Sequence, residues 1–157
     1  MNTSSRQHGA LAPAYSLIEV VTVMAIIVIL AGTVVGTMGY YKYKANEGRT
    51  KVLIASIERA LEEYKSDNGS YPAGTSTTAV YTALYGGGKV YLSTLNPNLT
   101  GKALNVKASG GSYVIIDGWG NNMGYTSPGV MNPANDFDLW SNGGDGTNGT
   151  TDDIKNW

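Results

Sequence analysis

A long segment without charged side chains, near the N-terminus, limits what this chain can fold into. Val20–Tyr41 contains 22 consecutive residues that carry no charge. In a helix with a rise of about 1.5 Å per residue, such a segment extends roughly 33 Å, which is enough to cross the hydrocarbon core of a bilayer. The segment therefore predicts one long apolar helix that can span a membrane.

One acidic residue stands at the start of this apolar region. Glu19 directly precedes the charge-free segment and lies inside an apolar sequence that begins at Leu17. A carboxylate in lipid costs about 3 kcal/mol on insertion scales, so an acid at this position indicates a function by default. The alternative is that the Glu19 side chain reaches up to the headgroup boundary. On the residues alone, both interpretations stay open.

The residues around Glu19 resemble the class III signal of type IV pilins and type II secretion pseudopilins. A short polar leader is followed by Ala14-Tyr15-Ser16-Leu17-Ile18-Glu19-Val20 and then by the apolar helix. In that family a prepilin peptidase cuts before an aromatic residue, and the new amine is methylated. The resemblance implies cleavage between Ala14, where the family usually has glycine, and Tyr15. It also implies that Glu19 pairs with the N-terminal amine of a neighbouring subunit.

A secretory signal and a simple membrane anchor are the two other interpretations of the N-terminal region. An ordinary secretory signal has an apolar core of about 7–15 residues that precedes a small-residue cleavage site. Here the small residues Ala12-Pro13-Ala14 come before the apolar region. A simple membrane anchor is the other alternative. Four basic residues fall within Lys42–Lys51, so positive-inside counting would place the C-terminal part in the cytoplasm; the pilin resemblance implies the reverse.

The composition argues against several classes of function. The net charge of −1 gives no indication of nucleic-acid binding. The chain contains no cysteine, and its only histidine, His8, lies in the leader. A mature chain without His or Cys lacks disulfides and the side chains most common in catalysis and in transition-metal sites. We therefore predict that this protein is not an enzyme.

Hydrophobic spacing predicts one long helix followed by a smaller mixed region. Tyr15 to about Ser66 is expected to form a single helix, whose second half is apolar on one side only. Asp67-Asn68-Gly69 then ends it. A short helix is expected within Thr78–Tyr85, and an irregular connection over Lys89–Gly111.

Three strands are expected after this connection. They are Ser112–Ile116, Met123–Ser127 and Asp136–Ser141, each rich in β-prone residues and separated by turn sequences. The first two are predicted to form a hairpin. Together with the helices, these strands predict an α+β fold.

The C-terminal tail concentrates acids and glycines. Asp145, Asp152 and Asp153 occur with four glycines in the 12 positions from Asn142 to Asp153. Carboxylates brought together repel one another unless a cation lies between them. Calcium suits such a site because it takes about 6–8 oxygen ligands in irregular geometry, backbone carbonyls included. A solvated acidic turn is the alternative.

The order of residues near the C-terminus resembles the G-type major pseudopilins of type II secretion. The matching residues are Asp117, Trp119-Gly120, Tyr125, Ser127-Pro128-Gly129, Asp138-Leu139, Ser141, Asp145-Gly146, Asp152-Asp153-Ile154 and Asn156-Trp157. The resemblance implies Ca²⁺ bound by Asp145, Asp152 and Asp153 and by the backbone oxygen of Asn142. It also implies a type IV pilin-like fold, with the long helix packed on a three-stranded antiparallel sheet that ends in a calcium loop.

The resemblance further implies a structural filament subunit with three regions. These are a prepilin leader (1–14), a transmembrane or filament-core helix half (15–41) and a periplasmic domain (42–157). The subunit would cross the inner membrane once and then polymerise with its own copies in the periplasm, helping folded proteins across the outer membrane. Minor pseudopilins, an inner-membrane assembly platform, an ATPase and the prepilin peptidase would be its partners.

Two alternatives to this function were kept. The first is a type IV pilin of a surface pilus, used in adhesion, motility or DNA uptake. The second is a membrane-anchored hydrolase that uses Asp152 and Asp153, although these adjacent acids have no accompanying base.

Overall fold

The computed structural model describes residues 15–100, 104–133 and 136–157, apart from the side chains of residues 33–37. Within these ranges the helical elements are α1 (Leu17–Asn68), α2 (Thr77–Tyr81), a π-helical turn (Thr82–Gly86) and a 3-10 turn (Ser93–Leu95). The strands are β1 (Val106–Ser109), β2 (Ser112–Ile115), β3 (Gly124–Thr126), β4 (Asp138–Ser141) and β5 (Ile154–Lys155). The chain divides into two compact units between Gly39 and Tyr40.

The N-terminal unit presents apolar side chains to its surroundings. Leu17 is 82% exposed, and Val28 is 70% exposed. The hydroxyl of Thr22 donates to the Ile18 carbonyl at 2.7 Å, so this polar group is satisfied within the helix.

Within the part of the chain that the structure describes, no helix is both long enough and apolar enough to cross a bilayer.

The second half of α1 forms one wall of the core in the C-terminal unit. Ile57 and Leu61 are fully buried, and Leu53 is nearly so. These residues recur at the spacing of one helix face, which confirms the predicted amphipathic helix. The helix ends at Asn68, because Gly69 takes a positive φ of 81° and its N–H donates to the Lys65 carbonyl at 2.7 Å.

The predicted short helix is confirmed as α2 and the π-helical turn that follows it. The side-chain oxygen of Ser76 caps α2 by accepting from the backbone N–H of Thr78. Val80 and Leu84 are completely buried in the same core as Ile57 and Leu61.

The predicted three-stranded antiparallel sheet is present, but its membership differs from the prediction. The observed order is β3-β4-β5. β2 instead pairs with β1 in a separate two-stranded sheet, so the predicted hairpin of Ser112–Ile116 with Met123–Ser127 was wrong. An isolated bridge between Ile116 and Asn122 and a hydrogen bond from the Met123 N–H to the Ile115 carbonyl at 3.0 Å link the two segments, but β2 and β3 form no ladder with each other.

The two strands missing from the prediction give weak sequence signals. β1 lies in the connection that was predicted to be irregular, and only Val106 of its four residues is buried. Its hairpin with β2 turns at Gly110-Gly111, where both glycines take the positive φ that a tight hairpin requires. β5 has two residues, too few to show alternation.

A cross-strand contact in the three-stranded sheet requires glycine. Gly124 pairs with Trp140, and a β-carbon at Gly124 would overlap the Trp140 indole. We expect Gly124→Ala to lower the free energy of unfolding by about 2 kcal/mol, because the indole must leave its position. The urea midpoint of the purified C-terminal unit measures this change.

Gly48→Ala is the matched control for that substitution. Gly48 lies inside α1, and a β-carbon there would meet nothing within 4 Å. We expect it to stabilise the protein by up to about 1 kcal/mol through helix propensity. An equal loss of stability in both variants would contradict the proposed role of the indole contact.

Candidate functional site

A buried carboxylate lies beside the point where the C-terminal tail begins. Asp117 is 2% exposed and follows β2. Its Oδ1 accepts hydrogen bonds from the backbone N–H groups of Trp119 and Asn121, both at 2.9 Å. Its Oδ2 accepts from the Ser141 hydroxyl at 2.6 Å. Asp117 therefore fixes the 117–121 turn against the end of β4, where the tail starts.

Helix α1 holds the same turn from the other side. The Thr50 hydroxyl donates to the Asn46 carbonyl at 2.8 Å and accepts from the Gly118 N–H at 2.9 Å. A β-carbon at Gly118 would lie 2.5 Å from the Asn46 carbonyl oxygen, so only glycine allows this approach. These contacts fix the turn against α1, and the turn in turn fixes the start of the tail.

Two further hydrogen bonds fix the first residues of the tail. Ser141 Oγ accepts from the Gly143 N–H at 3.1 Å, and Asn121 Nδ2 donates to the Gly143 carbonyl at 2.9 Å. Gly143 has a φ of +64°, and a β-carbon on it would lie 2.5 Å from the Asp152 carboxyl carbon. The two halves of the loop can approach each other here only because this residue is glycine.

The carboxylate of Asp152 folds the loop back on itself. Its Oδ2 accepts from the N–H groups of Gly144 at 2.7 Å and Asp145 at 3.2 Å. The Tyr43 hydroxyl on α1 donates to the same oxygen at 3.4 Å. Sequence positions seven and eight residues apart are thereby brought together, as a closed ligand loop requires.

Oxygen atoms from three aspartates surround the hydroxyl of Thr150. Its Oγ1 lies 2.7 Å from Asp152 Oδ1, 3.3 Å from Asp153 Oδ1 and 3.4 Å from Asp145 Oδ1. The Thr147 carbonyl is 3.1 Å away. One hydroxyl hydrogen can serve only one of these four acceptors. The structure therefore brings the three predicted aspartates together around one hydroxyl, which has fewer hydrogens to donate than there are oxygens to accept them.

Asn142 contributes an unpaired acceptor to the same loop. Its side-chain Oδ1 is buried and has no hydrogen-bond partner among the described residues, whereas its Nδ2 lies 3.5 Å from the Gly146 carbonyl. A buried oxygen without a donor is costly unless a cation or water serves it. The prediction named the backbone oxygen of Asn142, and the unpaired atom is on its side chain.

No group of three or more His, Cys, Asp or Glu side chains in the described part of the chain is arranged to hold a metal ion. The three carboxylates meet at the Thr150 hydroxyl, not at a common point formed by acids alone. A hard cation such as Ca²⁺ accepts hydroxyl and carbonyl oxygens as well. The donor set of this loop fits calcium when Thr150 and Thr147 are counted, and sequence reasoning missed both because threonine carries no distinctive ligand signal.

Hydrogen bonding favours the charged form of two loop carboxylates. The Thr150 hydroxyl, followed by the N–H groups of Asp145 and Gly144, lowers the pKa of Asp152. Burial raises the pKa of Asp153, but the Gly149 N–H and Lys155 outweigh it, so the net pKa is also lowered. At neutral pH both side chains are therefore charged, and they accept hydrogen bonds but do not donate them.

The other predicted site residues lie in the N-terminal unit. Tyr15 is 76% exposed, and Glu19 is exposed near the start of α1, where its backbone N–H donates to the Ser16 carbonyl at 3.0 Å. Ala14, the predicted residue before the cleavage point, lies outside the described residues.

Comparison with known proteins gives consistent matches along this chain. A family model described as type II secretion system (T2SS), protein G, matches residues 91–157. The type II secretion system core protein G of Escherichia coli K12 is 32% identical over 160 residues, which cover 100% of this chain and 95% of that protein. The core protein G of Pseudomonas aeruginosa is 36% identical over 147 residues, covering 91% and 93% of the two chains.

The same similarity extends to Vibrio cholerae. Its core protein G is 33% identical over 146 residues, covering 91% of this chain and 90% of that protein. The crystal structure of the major pseudopilin from the type 2 secretion system of enterohaemorrhagic E. coli matches with a TM-score of 0.46 and 24% identity, over 77% of this chain and 94% of that one.

Proposed function

The chain belongs to the core protein G family of the type II secretion system, and we propose that it is a structural subunit of the pseudopilus that polymerises through its N-terminal helix. As a type II secretion component it is a protein of the cell envelope. In the proposed cycle, Met1–Ala14 is removed, residues 15–41 hold the subunit in the inner membrane, and residues 42–157 stand in the periplasm. The polymer then helps folded proteins across the outer membrane.

The exposed apolar surface of the N-terminal unit supports this proposal. Side chains such as Leu17 and Val28 gain nothing from water and need lipid or other helices around them. Extraction from the membrane into a helical filament exchanges one apolar environment for another. Minor pseudopilins, the assembly platform, its ATPase and the prepilin peptidase are the partners of this step.

In this proposal, Glu19 sets the position of each subunit relative to its neighbour in the filament. A carboxylate surrounded by apolar side chains is stable only when a group of opposite charge is paired with it. The amine created at Tyr15 by cleavage after Ala14 supplies that charge, and it comes from the neighbouring subunit. The resemblance of the 14–20 sequence to pilin signals is the observation that supports this pairing.

The proposed subunit also binds Ca²⁺ in its C-terminal loop. The acceptor oxygens around Thr150 and the unpaired Asn142 Oδ1 are the observations that support a bound Ca²⁺. Asp145, Asp152 and Asp153 would hold the ion together with oxygen from Asn142, either the predicted backbone carbonyl or the side chain. The ion would then fix the tail against the 117–121 turn and keep the surface of the C-terminal unit rigid for contacts with neighbouring subunits.

Replacing Glu19 is expected to abolish the filament without preventing membrane insertion. Glu19→Leu removes the charge and makes the helix more apolar, so insertion is retained while the partner of the Tyr15 amine is lost. The variant and the parent are produced with a complete type II secretion apparatus. Filaments are imaged by electron microscopy and cargo outside the cell is measured; both are expected to fall to background.

Glu62→Gln is the matched control, since Glu62 lies on the exposed surface of α1 in the C-terminal unit and a glutamine oxygen there still accepts from the Tyr71 hydroxyl. It is expected to leave filaments and export at the parental level. Normal filaments from Glu19→Leu would contradict the pairing. Long fibres on the cell surface, formed without any effect on export, would instead support the surface-pilus function.

A further inference from the structure

An exposed apolar knob lies between β3 and β4. We use this name for residues 128–133, in which Val130 is 77% exposed and Met131 is 61% exposed. A flexible loop could turn such side chains inward, but this one is held. The Asp138 carboxylate accepts hydrogen bonds from the backbone N–H groups of Val130, Met131 and Asn132 at 2.7 to 3.1 Å. The knob is therefore a rigid, outward-facing apolar surface.

A groove lined by both apolar and charged side chains lies on one flank of α1. It is lined by Val52, Ala55, Ser56, Arg59, Ala60, Glu63, Tyr91 and Leu92. The small residues at 55, 56 and 60 leave space beside the helix, and Val52 is 68% exposed at its edge. Burying Val52 together with Met131 would remove two large apolar side chains from water.

The knob and the groove carry opposite charges. Asp136 is exposed and follows the knob, and Arg59 is exposed at the groove. Neither has an ion pair within the described part of the chain, whereas the neighbouring Lys89 is already paired with Glu63 and Asp67. Arg59 and Asp136 are thus available to pair with each other between two copies of the chain.

The two surfaces belong to different sides of the molecule. The groove is on the flank of α1 that faces Tyr91 and Leu92. The knob is tied to the C-terminal end, where Asn132 Nδ2 donates to the Asn156 carbonyl at 2.8 Å. Asn156 and Trp157 line the other flank of α1, beside Lys51 and Glu58. A subunit can therefore use both surfaces at once, each with a different neighbour.

We propose that the knob of one subunit docks in the α1 groove of a second copy of this chain, with Asp136 facing Arg59. A contact between two different surfaces of the same chain leaves one knob and one groove free after each addition, so it extends into an open polymer instead of a closed dimer. The inference rests on the proposed filament function. It adds to that function the part of the C-terminal unit that makes the contact.

Disulfide trapping tests this contact, because the natural chain has no cysteine. The full chain carrying both Val52→Cys and Val130→Cys is produced with a complete type II secretion apparatus and oxidised. We expect a ladder of covalent multimers, since docking holds the two thiols together at high effective concentration. Each single variant is expected to stay monomeric, and a mixture of the two single variants to stop at dimers.

The control pairs Val130→Cys with Lys107→Cys, because Lys107 is exposed on β1 and is not among the residues that line the groove. Its multimers are expected to be about tenfold fewer than those of the test pair. Filaments without a ladder above this control would overturn the inference while leaving the filament function intact. Failure of the parent chain to form filaments would overturn both. A disulfide between Val130→Cys and a different protein of the apparatus would also overturn the inference, because the knob would then bind another partner.

Charge exchange gives an independent test. Arg59→Glu and Asp136→Arg are each expected to weaken the contact about twofold to fivefold, because like charges then face each other at an exposed pair. The ladder yield should fall in each variant and recover when both substitutions are combined in one chain. A double variant no better than either single one would contradict the pairing of Arg59 with Asp136.

Discussion

Calcium at about one hundred times its dissociation constant is expected to raise the Tm of the Tyr40–Trp157 unit by roughly 10 °C. A ligand bound only by the folded state adds about 2.7 kcal/mol to the free energy of unfolding at that concentration. For a domain of this size each kcal/mol corresponds to about 4 °C. Thermal unfolding in calcium and in chelator measures the difference directly.

The size of this effect follows from the distribution of the proposed ligands. Asn142 and Asp145 lie at the start of the loop, Asp152 and Asp153 lie at its end, and the unfolded chain holds none of these oxygens near the others. Without the ion, the Thr150 hydroxyl can donate to only one of the surrounding oxygens. With it, the remaining carboxylate oxygens are neutralised in place. Magnesium is expected to stabilise less, because it requires a stricter octahedral arrangement.

Asp145→Asn is the variant that isolates this contribution. Asp145 is exposed, and its carboxylate accepts only from loop groups, the Thr147 N–H at 2.7 Å and the Thr150 hydroxyl at 3.4 Å. The variant should keep its fold and lose the response to calcium. Asp67→Asn, an exposed acid near the end of α1, should keep the full response. A parent Tm that does not change with calcium would contradict the metal loop and favour a solvated acidic turn.

The long helix and the convergence of the tail aspartates follow from local patterns that a sequence displays. The apolar segment and the spacing of Leu53, Ile57 and Leu61 define α1 without reference to any partner. Asp145 and the Asp152-Asp153 pair are close in sequence and separated by glycines, so a short loop can bring them together. In both cases the information lies within a few turns or one loop.

The sheet membership and the central role of Thr150 depend on contacts that the sequence does not display. β5 is two residues long and exists because β4 lies beside it. Thr150 resembles any loop threonine until the loop closes around it. Asp117 and Asp138 also resemble ordinary surface acids in the sequence. In the fold both are buried, and both accept hydrogen bonds from backbone N–H groups. Such tertiary hydrogen bonding has no periodicity to detect.

Removing the Asp117 carboxylate is expected to lower the free energy of unfolding by roughly 4 kcal/mol, because Asp117→Ala leaves one buried and two partly buried donors without acceptors. The donors are the N–H groups of Trp119 and Asn121 and the Ser141 hydroxyl. Asp117→Asn keeps one acceptor oxygen and should lose about half as much. Urea unfolding with an unchanged m-value would show that the loss is one of native stability.

A double-mutant cycle with Ser141 separates stability of the turn from positioning of the tail. Ser141→Ala alone removes the link from Asp117 to the Gly143 N–H but leaves the turn's own hydrogen bonds in place. Because Asp117 acts on the tail through Ser141, the double variant should be less destabilised than the sum of the two single variants by about 1 kcal/mol. The calcium-induced rise in Tm should shrink in both single variants, since each releases Gly143 and with it the first ligands of the loop. An undiminished calcium response in Ser141→Ala would mean that Asn121 on Gly143 and Asp152 on Gly144 hold the start of the loop without Ser141, and that Asp117 stabilises the turn without positioning the proposed metal loop.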